Sequence, residues 1–136
     1  MTNQPRPSKA INVILWIAQI FLSACFIWAA TMKLFQPIDK LSAMWPWTAQ
    51  IPIAMVKLTG IIDLLAALGL ILPGLLRIKP KLTPFTAIGV IVLMVCASIF
   101  HILRGEACVI AVNIVFAVIA AFIAWGRFKK HRTVTM

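Results

Sequence analysis

His101, Arg104 and Glu106 fall within six positions of one another in the stretch SIFHILRGEAC, residues 98 to 108. An imidazole, a guanidinium and a carboxylate at that spacing can hold a polar ligand, pass a proton, or simply hold one another. The setting narrows the choice. The chain is 62% hydrophobic and has only three acidic residues, so a carboxylate placed here is a selective use of a scarce group.

A second acid raises the same question more sharply. Asp63 lies near the middle of the apolar run Ile53 to Leu72. A carboxylate at the centre of a membrane helix costs about 2.5–3.5 kcal/mol to insert. The run offsets this with eleven Leu, Ile and Val residues, worth about −0.3 to −0.6 kcal/mol each. The helix therefore inserts despite Asp63. The side chain is expected to face protein or a wet cavity with a partner, or to take up a proton. Lys57 is six positions away, roughly 240° around a helix, so it meets Asp63 only obliquely. A partner from another helix is the stronger expectation.

His101 and Arg104 are three apart and share a helix face, with Ser98 one turn deeper. Glu106 and Asn113 are seven apart and share a face of the next helix. Lys33 ends the first apolar run on the same side. The ligand or pocket residues read from the sequence are thus Asp63, Lys57, His101, Arg104, Glu106, Asn113 and Lys33. They are expected to converge in the outer leaflet above Asp63. The plainer reading makes Arg104, Glu106 and Lys33 interfacial residues of a wet turn, and gives His101 a hydrated tip. Under it, Asp63 makes an interhelical hydrogen bond worth about 0.6–2 kcal/mol.

Several chemistries lack their residues. Transmembrane haem ligation wants two histidines within the membrane, and only His101 qualifies, because His131 lies in the tail. No Cys/His cluster has metal spacing, and no glycine loop is built for phosphate. Ser23 and Ser98 lack a partnered base in their own segments. No inverted repeat with broken helices marks a secondary transporter. No catalytic residue is assigned, and no cofactor is fixed.

The elements that must position these residues follow from composition. Only 12% of residues are charged, against roughly 25% in a soluble domain. This is too few for a water-facing surface, so the chain reads as a single integral membrane domain, residues 1–136. The net charge of +10 sits in short runs between apolar stretches. That pattern suits anchors at a lipid headgroup surface rather than a nucleic-acid platform. Four stretches are long enough to span a bilayer at roughly 20 residues each. They run over about 11–32, 52–72, 84–103 and 107–126. Pro52 and Pro84 suit a first helical turn, and Pro73 with Gly74 is expected to end the second span. Arg104-Gly105-Glu106 alone separates the last two spans, which predicts a tight antiparallel hairpin. The fold class is all-α, an antiparallel four-helix bundle.

Orientation follows from lysine and arginine. Arg6, Lys9, Arg77, Lys79, Lys81, Arg127, Lys129, Lys130 and Arg132 flank one side, nine against the three of Lys33, Lys40 and Arg104. Both termini are therefore expected in the cytoplasm, with anionic lipids against that side. Trp45 and Trp47 suit the outer interface and Trp125 the inner one. Leu22-Ser23-Ala24-Cys25 matches a lipoprotein cleavage box. The apolar run continues through FIWAATM, too long for a signal segment, so cleavage is not expected. Cys25, Cys96 and Cys108 form no C-x-x-C and read as small apolar residues in packed helices.

Several stretches resemble a known family. GIIDLLAALGLILP, Gly60 to Pro73, resembles the second-span motif of DoxX-like membrane proteins, roughly G-x-x-E-L-x-G-A-x-G-L-x-L-P. LTPFTAIGVIVLMVCASIFHILRGE, Leu82 to Glu106, resembles their third span, with its L-T-P start and its histidine and R-G-E end. ATMKLF resembles the end of their first span, and Lys57 falls where a basic residue is common. Asp63 stands where the family usually has glutamate, one methylene shorter, and Ala66 where glycine is usual. The resemblance spans about residues 11 to 126. It implies a four-helix bundle in a bacterial cytoplasmic (inner) membrane. The family name comes from a subunit associated with a quinone-linked oxidase. The function so implied is a non-catalytic accessory or binding component of membrane redox or quinone metabolism, with a quinone as ligand and a redox protein or a second copy as partner. A small-solute or proton-coupled carrier and a membrane assembly scaffold are the alternatives.

Overall fold

The computed structural model describes residues 9–135, with the side chains of 107, 109 and 130–135 excepted. Arg6 and the side chains of Lys130 and Arg132, counted above for orientation, lie outside that description. The described residues form α1 (Lys9–Phe35), α2 (Ile38–Met44), a 3-10 turn (Pro46–Ala49), α3 (Ile53–Leu76), α4 (Leu82–Leu103) and α5 (Ala107–Thr135). There is no strand among them. α1, α3, α4 and the Ile110–Lys129 part of α5 are long and apolar enough to cross a membrane.

Local signals set most of the boundaries. Pro52 caps α3 and Pro84 is the third residue of α4, where backbone N–H groups have no helical partner to lose. The expected stop at Pro73 and Gly74 is not where the second span ends, because α3 continues to Leu76. A proline forfeits one bond, here to the Gly69 carbonyl, and the turn after it can still close. Ile78 N–H bonds Pro73 O at 3.1 Å, and Arg77 takes the left-handed conformation at φ 54°. This is the Schellman closure with an arginine where glycine is preferred. Between α4 and α5 the glycine is present. Gly105 sits at φ 75°, and Glu106 N–H bonds His101 O at 2.8 Å. The turn is tight because this backbone conformation carries no Cβ penalty at glycine.

α1 packs against α3 and α5, and α4 packs against α3 and α5, so the four long helices contact one another in a closed cycle. The α1–α3 and α4–α5 contacts are the most extensive. Leu15, Leu22, Leu70, Val90, Ala120 and Ile123 are sealed inside. Only 22–33% of each apolar span is buried. The remainder, including Ile17, Phe21, Leu65, Val92 and Val118, faces outward. That surface is matched to acyl chains, and helix association then rests on close packing instead of water exclusion. Close packing is visible at Gly126, where an added Cβ would lie 2.5 Å from Leu15 Cδ2.

Candidate functional site

One face of α1 carries a polar stripe. Asn12, Trp16, Gln19, Ser23, Ala30 and Lys33 recur at spacings of three, four or seven, so they lie above one another on the helix. Two of these side chains reach backbone carbonyls of α3. Gln19 Nε2 donates to Leu70 O at 2.6 Å, and Ser23 Oγ donates to Ala67 O at 2.9 Å. Both side chains are 1% exposed. Their polar atoms must be satisfied inside the protein, and the carbonyls of a facing helix do so without any polar side chain on α3.

The stripe ends in an ion pair. Lys33 Nζ lies 2.8 Å from Asp63 Oδ2, with side-chain exposures of 13% and 6%. Gly60, three residues before Asp63, allows the approach, since a Cβ there would stand 3.0 Å from Lys33 Cβ. The segment between α1 and α3 folds over the pair. Lys33 Nζ is 5.7 Å from the Trp45 ring centroid and 5.6 Å from that of Trp47, within cation–π range of both. Trp45 also packs edge-on to Trp28 of α1. Thr48, fully buried, donates its hydroxyl to Trp45 O at 2.7 Å and ties the 3-10 turn. A mid-helix carboxylate thus has a cation from a neighbouring helix and a roof of indoles.

A second cluster forms at the α4–α5 turn. Arg104 Nε donates to Glu106 Oε1 at 2.5 Å, and His101 Nδ1 lies 3.3 Å from the same oxygen. Arg104 Nη1 also donates to Gln50 Oε1, which joins the turn to the segment after the 3-10 turn. The Arg104 hydrogen bond, reinforced by that of His101, holds the Glu106 carboxyl below its usual range. His101 is 8% exposed and packs edge-on to Phe100, and Phe100 packs edge-on to Trp47. The Trp47–Phe100 contact therefore connects the two clusters.

The seven residues read from the sequence do not form one group. Lys33 and Asp63 pair, and His101, Arg104 and Glu106 gather nearby. Lys57 stands apart. It is exposed and donates to Leu34 O at 3.2 Å. Its angular offset from Asp63 directs it outward, and Lys33 occupies the carboxylate. Asn113 is buried at 8% exposure, and its Nδ2 has no hydrogen-bond partner. Trp45 and Trp47, read as interfacial anchors, are also the roof over Lys33. Gln19 and Asn12 have no place in the sequence reading, and Arg127 enters it only as an orienting charge. Arg127 Nε donates to Gln19 Oε1 at 2.5 Å and Nη1 to Asn12 Oδ1 at 2.9 Å. The heptad-like recurrence of polar residues on the first span was the available signal. No group of three or more His, Cys, Asp or Glu among the described residues is arranged to hold a metal.

Four long apolar helices, most of whose surface is hydrophobic and outward-facing, around sequestered polar pairs define a multi-pass membrane protein. Residues 17–123 match the DoxX-like family, and the chain belongs to it. Comparison with curated proteins finds no match, and neither does comparison with solved structures.

Proposed function

We propose that this is a single-domain antiparallel bundle of the bacterial inner membrane with both termini in the cytoplasm. In this reading it serves as a non-catalytic binding or accessory component of quinone-linked redox metabolism. The observation that supports it most is the Lys33–Asp63 pair under Trp45 and Trp47. A quinone headgroup is a flat ring with two carbonyl acceptors. It wants aromatic faces and hydrogen-bond donors in a low-dielectric site. Trp47 and Phe100 supply faces, and the Lys33 ammonium supplies a donor. Asp63 holds the ammonium in place, and His101 flanks the aromatic pair. Under this reading the site opens to the periplasmic half of the bilayer.

The test has two parts. Mass spectrometry of lipids that co-purify in mild detergent should recover a quinone near one per chain. Titration of the apoprotein with a short-chain quinone should quench tryptophan emission, and Asp63→Ala and Trp47→Leu should each weaken that quenching. Absence of any retained quinone, with titrations unaltered by both substitutions, would end the proposal.

A further inference from the structure

The end of the bundle remote from Asp63 carries a second polar group that the quinone reading does not use. Arg127 of α5 donates to Gln19 Oε1 and Asn12 Oδ1 of α1, and its guanidinium carbon lies 5.4 Å from the Trp16 ring centroid. Gln19 commits its Nε2 to Leu70 O. Its Oε1 is therefore left facing Arg127, and the guanidinium is held before any ligand arrives. Arg127 Nη2 is buried without a hydrogen-bond partner. The residue as a whole is only part-buried.

No acidic side chain is available at this end among the described residues. The three acids are Asp39, Asp63 and Glu106. Asp63 pairs with Lys33, Glu106 pairs with Arg104, and Asp39 lies in α2 beyond the far end of α1. Asn12 and Lys33 are separated by nearly six helical turns, about 31 Å along α1. Around Arg127, the basic residues Lys9, Arg77, Lys79, Lys81 and Lys129 occupy the same end of the bundle without an acid among them. Amide oxygens satisfy two guanidinium N–H groups but supply no negative charge. A part-buried cation with no acidic side chain beside it among the described residues, and with an orphaned N–H, is an incomplete arrangement.

We infer that Arg127, positioned by Gln19 and Asn12 and backed by Trp16, is a seat for a phosphate-bearing anion. The anion is either the headgroup of an acidic phospholipid or free phosphate. A planar guanidinium matches two phosphate oxygens at once, and the orphaned Nη2 with the second N–H of Nη1 forms the side that Gln19 and Asn12 leave unused. Trp16 gives an indole face suited to the boundary between headgroups and acyl chains.

Native mass spectrometry of the full chain in mild detergent tests the lipid arm. Phosphatidylglycerol and phosphatidylcholine with identical acyl chains are offered together. The wild type should retain one phosphatidylglycerol with about ten-fold preference, as expected for a charge-assisted bidentate contact. Arg127→Gln should abolish the preference, and Arg77→Gln should keep it. The free-phosphate arm compares thermal stability in inorganic phosphate and in chloride at matched ionic strength. A phosphate-specific rise that Arg127→Gln removes assigns the site to free phosphate. If Arg127→Gln does not fold, Arg127→Lys decides. Loss of the preference with charge retained supports the fork geometry, and full retention overturns it. A wild type with neither preference nor phosphate-specific stabilisation overturns the proposal. So does an Arg77→Gln chain that loses as much as Arg127→Gln, because the attraction would then be diffuse.

Discussion

Lys33→Met should be among the most damaging single changes in the molecule, and Asp63→Asn should be much milder. The asymmetry comes from geometry. Asp63 is 6% exposed, mid-helix, and its ion-pair partner is Lys33 at 2.8 Å. Removing the cation strands a buried carboxylate, a loss of about 3–5 kcal/mol. Lys33 is better placed to lose its partner. It lies two residues from the end of α1, is 13% exposed, and keeps both indole faces. Its long stem can carry the ammonium toward headgroups. Asp63→Asn also retains an oxygen acceptor, so its cost should be about 1–2 kcal/mol. The double change Lys33→Met with Asp63→Leu removes both charges and should return to within about 1–2 kcal/mol of the wild type. Melting followed by circular dichroism in one detergent measures all three. At about 3 °C per kcal/mol, Lys33→Met should melt roughly 10 °C early and Asp63→Asn roughly 5 °C early. If the double variant melts no later than Lys33→Met, or if Asp63→Asn is the worst of the three, the stranded-charge account is wrong.

Glu106 gives a pH prediction. Its carboxyl is held below the ordinary value by Arg104 and then by His101. A depressed carboxylate contributes stability that is complete above its unfolded pKa, near 4.5, and is lost as pH falls through the folded value. Melting temperatures between pH 6 and pH 3 should therefore fall more steeply for the wild type than for Glu106→Gln. Gly126→Ala should lower the melting temperature by an amount equivalent to about 1–3 kcal/mol, since its methyl would meet Leu15 at 2.5 Å. Gln19→Leu deletes the donor to Leu70 O and the acceptor for Arg127 Nε. It should cost about 2–4 kcal/mol in the same melts, and a neutral result would mean that the stripe on α1 carries no stability.

The membrane spans were legible because hydropathy and length are local properties, and each helix meets them alone. The fate of Asp63 was half legible. Insertion cost demanded a partner, and angular offset disfavoured Lys57, but nothing local selects Lys33 from thirty positions away. That choice depends on Gly60, whose missing side chain lets α1 close on α3. The indole roof was hidden for a similar reason. Trp45 and Trp47 carry an interfacial signature, and their position over Lys33 depends on the path of α2 and the 3-10 turn between the spans. The chain end of α3 was misplaced because Pro73 reads as a stop, while the helix tolerates one missing bond and closes at Arg77. Arg127 was read as an orienting charge only. Its links to Gln19 and Asn12 cross more than a hundred positions of sequence, and only the polar recurrence on the first span hinted at them.

The bonds from Gln19 and Ser23 to α3 have a consequence for variation and for motion. Their acceptors are main-chain oxygens at Leu70 and Ala67, so an exchange of either α3 side chain for another of similar size leaves the acceptor in place. Together with Lys33 on Asp63 they fix the axial register of the two helices at three heights. Sliding α1 past α3 by one turn would sever all three bonds in a single step, so the pair resists shear and behaves as a stiff two-helix strut.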